Sequence, residues 1–338
     1  MNGSERIKAA LKGEMPDRRP VMLHNFMLAA KLAGHTMQEY RESPEVAAKC
    51  HIEFVEKFGV DGVLFDVDTA LMADAIGCKV DFPRDEPARV YGNFLRSLDE
   101  VDALEETDIS NHPRIQHALE TMRILRRYFG SEVFLRGNCD QAPFSLACCM
   151  RGPEEFMMDL IMHGEEAKKL IAYTTRRCTQ MIELMAGVGV DMVSNGDSPA
   201  GPEMISPDMY REFAFEGEKA LLDTAHRAGV PYLLHICGNT DVILPAMAEL
   251  GLDAVELDYK TSLDKIYQHF GTRSTLFGTV DPSGVIAMGT PEDVRREILL
   301  IADKYKDNYR LVLGAGCAIP PITPEENIRM LVETVHAL

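Results

Sequence analysis

The sequence contains no tryptophan, and basic residues are its minority charge: 35 lysines and arginines stand against 53 aspartates and glutamates, a formal charge of −18 over 338 residues. A chain this acidic is a poor match for nucleic acid or an anionic membrane surface, and both are excluded as the main partner. It has no run of about 18 apolar residues, so no membrane span is expected. Met1 to Arg6 lack the apolar segment of a secretion signal, and a cytoplasmic protein is expected. A phosphate-binding loop is missing as well. Gly314-Ala315-Gly316 lacks the third glycine of a dinucleotide fingerprint and comes far too late in the chain, which excludes a nucleotide reading there. Linkers, low-complexity segments and clear internal repeats are also absent.

What is present is globular. Hydrophobic residues make up 46% of the chain, enough for a large core. The eight cysteines, Cys50, Cys78, Cys139, Cys148, Cys149, Cys178, Cys237 and Cys317, are scattered without a secreted framework. In a reducing compartment they are thiols, either buried or functional. Eight short β-type runs alternate with helical stretches: Val21–His24, Gly62–Asp66, Val133–Gly137, Asp191–Asn195, Tyr232–Ile236, Ala254–Asp258, Thr275–Val280 and Arg310–Ala315. Most are continuously apolar and end on a polar residue or glycine, as parallel strands buried on both faces do. Eight strand-plus-helix units predict an α/β fold, a single-domain (β/α)8 TIM barrel over residues 1–338. An insert at about 83–113 is expected to add a hairpin or short helices over the barrel mouth. Helix starts are marked by Ser43-Pro44, Ser206-Pro207, Thr290-Pro291 and Thr323-Pro324, each placing a capping hydroxyl before a proline.

Catalytic groups of such a barrel sit at the C-terminal ends of the strands. The strongest signal there is Leu234-His235-Ile236-Cys237-Gly238-Asn239, in which His235 and Cys237, two apart on extended chain, point the same way. Cys317 leaves the eighth strand at the same end. One nitrogen and two sulfurs suit zinc and leave a fourth position open. The competing reading is plain: a free cysteine is usually a buried hydrophobe, and a lone His-x-Cys is a weak signal. Asp66 and Asp68 end the second strand; Asp66 is expected to cap the following helix, and Asp68 is a candidate for acid–base or positioning work. His24, Asn195, Asp197, Asn239 and Asp258 are candidate substrate-binding groups, with Asn195 and Asp197 also able to serve the turn alone. Glu256 and Asp258 are candidates for the open metal position. Cys139 is a rival metal ligand, and Cys148 and Cys149 read as core or cavity wall.

Several motifs together resemble the uroporphyrinogen decarboxylase superfamily. They are Ser4-Glu5-Arg6 through Leu11-Lys12-Gly13-Glu14 with Pro16-Asp17-Arg18, then Ala75-Ile76-Gly77-Cys78, and Asn195 to Pro199 with Ser206-Pro207. Gly278-Thr279-Val280-Asp281-Pro282 and Gly316-Cys317 with Pro320-Pro321 and Thr323-Pro324-Glu325-Glu326-Asn327 complete the set. The resemblance runs over nearly the whole chain and implies a (β/α)8 barrel. It also implies one of two activities. The decarboxylase branch has no metal and holds its acidic porphyrinogen with arginines; the matching stretch here, Met27 to Glu39, contains none. The other branch resembles the corrinoid-dependent methylcobamide:coenzyme M methyltransferases, which bind zinc through a His-x-Cys…Cys motif matched by His235, Cys237 and Cys317. That likeness implies Zn2+ as cofactor, a methylcorrinoid on a partner corrinoid protein as methyl donor, and a small-molecule thiol as acceptor. Asp68 alone matches a decarboxylase functional residue. The alternatives are a uroporphyrinogen decarboxylase and a non-catalytic corrinoid- or zinc-binding accessory protein.

Overall fold

The computed structural model describes residues 1–104 and 106–338; Glu105, within the expected insert, lies outside the described residues. Eight parallel strands form one sheet in the order β1 (Met22–Leu23), β2 (Gly62–Phe65), β5 (Phe134–Gln141), β6 (Met192–Gly196), β7 (Tyr232–Ile236), β8 (Ala254–Leu257), β9 (Thr275–Val280) and β10 (Leu311–Ala315). The bridge between Val21 and Leu313 joins the first strand to the last, so the sheet curls into the expected barrel with helices outside. A separate antiparallel pair, β3 (Val80–Asp81) and β4 (Arg89–Val90), follows the second barrel strand. No helix among the described residues is long and apolar enough to cross a membrane.

Side-chain alternation along the strands divides the barrel interior into levels. At the N-terminal end, every barrel strand contributes one apolar residue to a common cluster: Met22, Leu64, Phe134, Met192, Leu233, Ala254, Phe277 and Val312. Ile7 and Ala10, from the helix Gly3–Lys12, close that cluster from below. Two residues further along, the same inward register carries His24, Asp66, Arg136, Ser194, His235 and Glu256. The barrel thus has an apolar floor and a polar storey above it.

Three of the four expected caps form. Ser43 accepts from the Val46 amide, Ser206 from the Met209 amide, and Thr290 forms a reciprocal capping box with Asp293. Thr323 does not. The last helix starts at Glu325, and the Thr323 hydroxyl donates instead to the Pro320 carbonyl, 2.8 Å away, inside the preceding turn. The third barrel strand runs further than the apolar run foretold, to Gln141, because Gln141 pairs with Gly196 across an irregularity in register after Asn138.

Candidate metal centre

His235 enters the barrel from β7, and its ring is fixed at both ends. Nδ1 lies 3.0 Å from the Glu256 carbonyl oxygen and donates to it, which leaves Nε2 to face Cys237 Sγ at 2.9 Å. Such a partner behind the ring is what orients a ligating histidine. Cys317, in the turn after β10, brings its sulfur to 3.5 Å from that of Cys237. The three candidate donor atoms lie within 4.8 Å of one another. The donor set, its clustering and the fixed imidazole fit a zinc ion with one position open.

The loop that carries Cys237 is held by its neighbours. The Cys237 amide donates to Ser198 Oγ at 3.3 Å, and the Gly238 amide to Asp258 Oδ2 at 3.0 Å. Gly238 adopts a left-handed φ of 82°, which a glycine allows without strain and which turns the chain just after the cysteine. Hydrogen bonding from Cys317 holds the Cys237 thiol down to about 3, against burial and with help from His235. Donation to Cys237, together with burial, pushes Cys317 up.

Behind this cluster lies an ion-pair network of which the sequence disclosed only parts. Glu256 accepts from Arg136 on one carboxylate oxygen, while the other faces His235 Nδ1 at 3.5 Å and His24 Nδ1 at 3.6 Å. His24 Nε2 lies 2.9 Å from Asp66. Burial disfavours the His24 imidazolium, but hydrogen bonds to Asp66 and Glu256 outweigh it and raise the group to about 9. Arg136 is absent from the candidate residues above because it lies inside an otherwise apolar run. A period-two comparison with Glu256 on β8 would have exposed it, since both occupy the storey above the floor. Glu256 itself is occupied by these partners.

These groups open onto a cavity of about 630 Å³ lined by His24, Asp66, Asp68, Arg136, His235, Cys237 and Cys317, among others. Asp68 is buried at its wall, where it accepts from Arg114 and from the Ala70 amide. The expected cap by Asp66 is not made: its carboxylate pairs with His24 and accepts from its own neighbour, the Val67 amide.

Four of the expected substrate-binding residues do not line the cavity. Asn195 is buried and donates from Nδ2 to the Cys139 carbonyl at 2.9 Å. Asp197 is buried and accepts from the Ser145 amide and hydroxyl. Asn239 is exposed and closes a turn with the Asp241 amide. Asp258 accepts from the Gly238 and Lys260 amides and is spent on loop geometry, so it does not reach the open metal position. A strand-end position says which storey a residue occupies, but not whether its side chain turns into the cavity or back into the wall. Cys139 is fully buried away from the cavity, with its sulfur near the Gly137 and Met181 carbonyls, so it is no rival ligand. Cys148 is core and Cys149 forms part of the cavity wall.

The sequence profile of uroporphyrinogen decarboxylase (URO-D) matches residues 2–338. The methylcobamide:CoM methyltransferase MtaA of Methanosarcina barkeri is 26% identical over 333 residues, which cover 97% of this chain and 95% of that protein. A uroporphyrinogen decarboxylase of Carboxydothermus hydrogenoformans is 29% identical over 328 residues, 90% of either chain. Among solved structures, a methyltransferase from Methanosarcina mazei superposes with a TM-score of 0.90 at 26% identity, over 99% of this chain and 98% of its own. Two activities thus stand at similar sequence distance, and the choice between them falls to the site.

Proposed function

The chain belongs to the uroporphyrinogen decarboxylase family, and within it we propose that this protein is a zinc-dependent methyltransferase that moves a methyl group from a methylcorrinoid to a small-molecule thiol. The observation that carries the reading is the convergence of His235 Nε2, Cys237 Sγ and Cys317 Sγ within 4.8 Å on the cavity wall. A decarboxylase of an acidic porphyrinogen has no use for that donor set, and the stretch from Met27 to Glu39 offers no arginine for its carboxylates.

Bound to these three residues, zinc would hold an acceptor thiol as its thiolate near neutral pH. The chain's own groups do the rest. Glu256 fixes His235 through its carbonyl, and its carboxylate, itself paired with Arg136, faces the same ring nitrogen. Ser198 and Asp258 hold the Cys237 loop in place. Asp68, clamped by Arg114, shapes the wall beside the acceptor. In the transfer a sulfur–carbon bond forms as the carbon–cobalt bond breaks. The electron pair stays on cobalt, and the thiol proton has already left to solvent. The methylcorrinoid arrives on a partner corrinoid protein at the open end of the barrel. Residues 1–338 act as one domain, with the stretch at about 83–113 forming part of the mouth.

The test is metal content with turnover. The purified chain should hold about one zinc, and Cys317→Ala should lose most of it. With methylcobalamin and thiols it should form thioether and a reduced, demethylated corrinoid, and Cys237→Ala should abolish this. Wild-type zinc in both His235→Ala and Cys317→Ala would remove the metal assignment. Zinc-independent conversion of uroporphyrinogen would install the decarboxylase reading, and zinc binding without any turnover the accessory one.

A further inference from the structure

The end of β5 forms part of the cavity wall. Its central residue is Asp140, which is 3% exposed and lines the cavity. One carboxyl oxygen, Oδ2, accepts from the Met72 amide at 2.7 Å; the other, Oδ1, has no hydrogen-bond partner although it is buried. The residue is also held at a left-handed φ of 61°, a conformation that costs an aspartate energy and gathers at binding sites. Asn138 and Gln141 line the cavity beside it. Burial, foremost, and the nearby Asp68 and Asp66 push its carboxyl well above the usual range, although the Met72 amide opposes them.

The charge around the cavity is one-sided. Its carboxyl side chains are Asp66, Asp68, Asp140 and Glu256. Its four basic side chains among the described residues each already face a carboxylate: Arg136 and His235 face Glu256, His24 faces Asp66, and Arg89 lies 3.4 Å from Asp81 and 3.3 Å from Glu86. A sulfonate or carboxylate on the acceptor would find no unpaired cation here, whereas an ammonium would find an unpartnered acceptor oxygen.

We propose that Asp140 binds the far end of the acceptor, and that the acceptor is an aminothiol whose ammonium group takes the free Oδ1. This rests on the methyl-transfer reading above and names the class of thiol it uses. In the bound state the ammonium donates to Oδ1 while the Met72 amide keeps Oδ2.

The experiment compares cysteamine, 2-mercaptoethanol and 2-mercaptoethanesulfonate as acceptors for methylcobalamin with the zinc-loaded full chain. Cysteamine should lead the other two in kcat/KM by about tenfold or more, the worth of one charge-assisted hydrogen bond, with the gap carried by KM. Asp140→Asn should shrink the ratio of cysteamine to 2-mercaptoethanol towards one. Preference for the sulfonate, or an equal loss on all three thiols in Asp140→Asn, would overturn the assignment. If no thiol is methylated, the transfer reading fails instead. Calorimetry with 2-(methylthio)ethylamine against 2-(methylthio)ethanol then decides the site alone: tighter binding of the amine upholds it, and equal affinities end it.

Discussion

His24 shows how a single side chain takes its properties from its setting. It sits between two carboxylates, Asp66 at 2.9 Å and Glu256 at 3.6 Å. Its folded value of about 9 lies above the ordinary histidine value near 6.5, reached in spite of burial. A group raised on folding contributes its full stabilisation below the unfolded value and loses it as pH climbs through the folded one. The thermal midpoint of the zinc-free protein should therefore fall between about pH 6.5 and 9, and His24→Gln should flatten that slope in a calorimetric pH series. Sequence pointed to His235, Cys237 and Cys317, which the fold brings close together, because their residue types are rare at strand ends and chemically specific. It also offered Asn195, Asp197, Asn239 and Asp258, which do not line the cavity, because polar residues at strand ends serve turns as readily as ligands. Their hydrogen bonds, to backbone amides and carbonyls or to Ser145, are invisible without the fold.

At the level of elements, the barrel strands were largely legible, since continuous apolar runs separated by helical stretches have few other solutions. Where the reading slipped, tertiary pairing was the cause. β5 continues through Asn138-Cys139-Asp140-Gln141 because β6 lies alongside to receive it, and no local propensity announces that. Caps divide in the same way. Thr290 has both halves of its box, with Asp293 in reach; Thr323 has the spacing for one, but the chain around it turns back to Pro320. Thr290→Ala should cost about 1 kcal/mol in urea unfolding, the usual worth of an N-cap, and Thr323→Ala less. Equal losses would mean that the two hydroxyls do the same work after all.

For the whole molecule, the closed ring of strands brings the candidate donor groups together at one end of the barrel. The floor was not foreseen. Nothing in Ser4-Glu5-Arg6-Ile7 says that the first helix will seal the barrel, because the eight residues it seals against come from strands spread over most of the chain.

That floor closes the barrel from below, so the cavity is entered from the opposite end. Traffic through it has to queue. If the chain is the methyltransferase proposed above, a small thiol goes inside while a corrinoid borne on a protein stays across the entrance, so the thiol goes in first. The thioether, trapped behind its delivery partner, must come out last. Steady-state kinetics should then be sequential and ordered: the thioether should inhibit competitively against thiol, and the demethylated corrinoid noncompetitively. A ping-pong pattern of parallel lines would mean that the methyl group lodges on the enzyme between visits, which a chamber closed at its floor does not require.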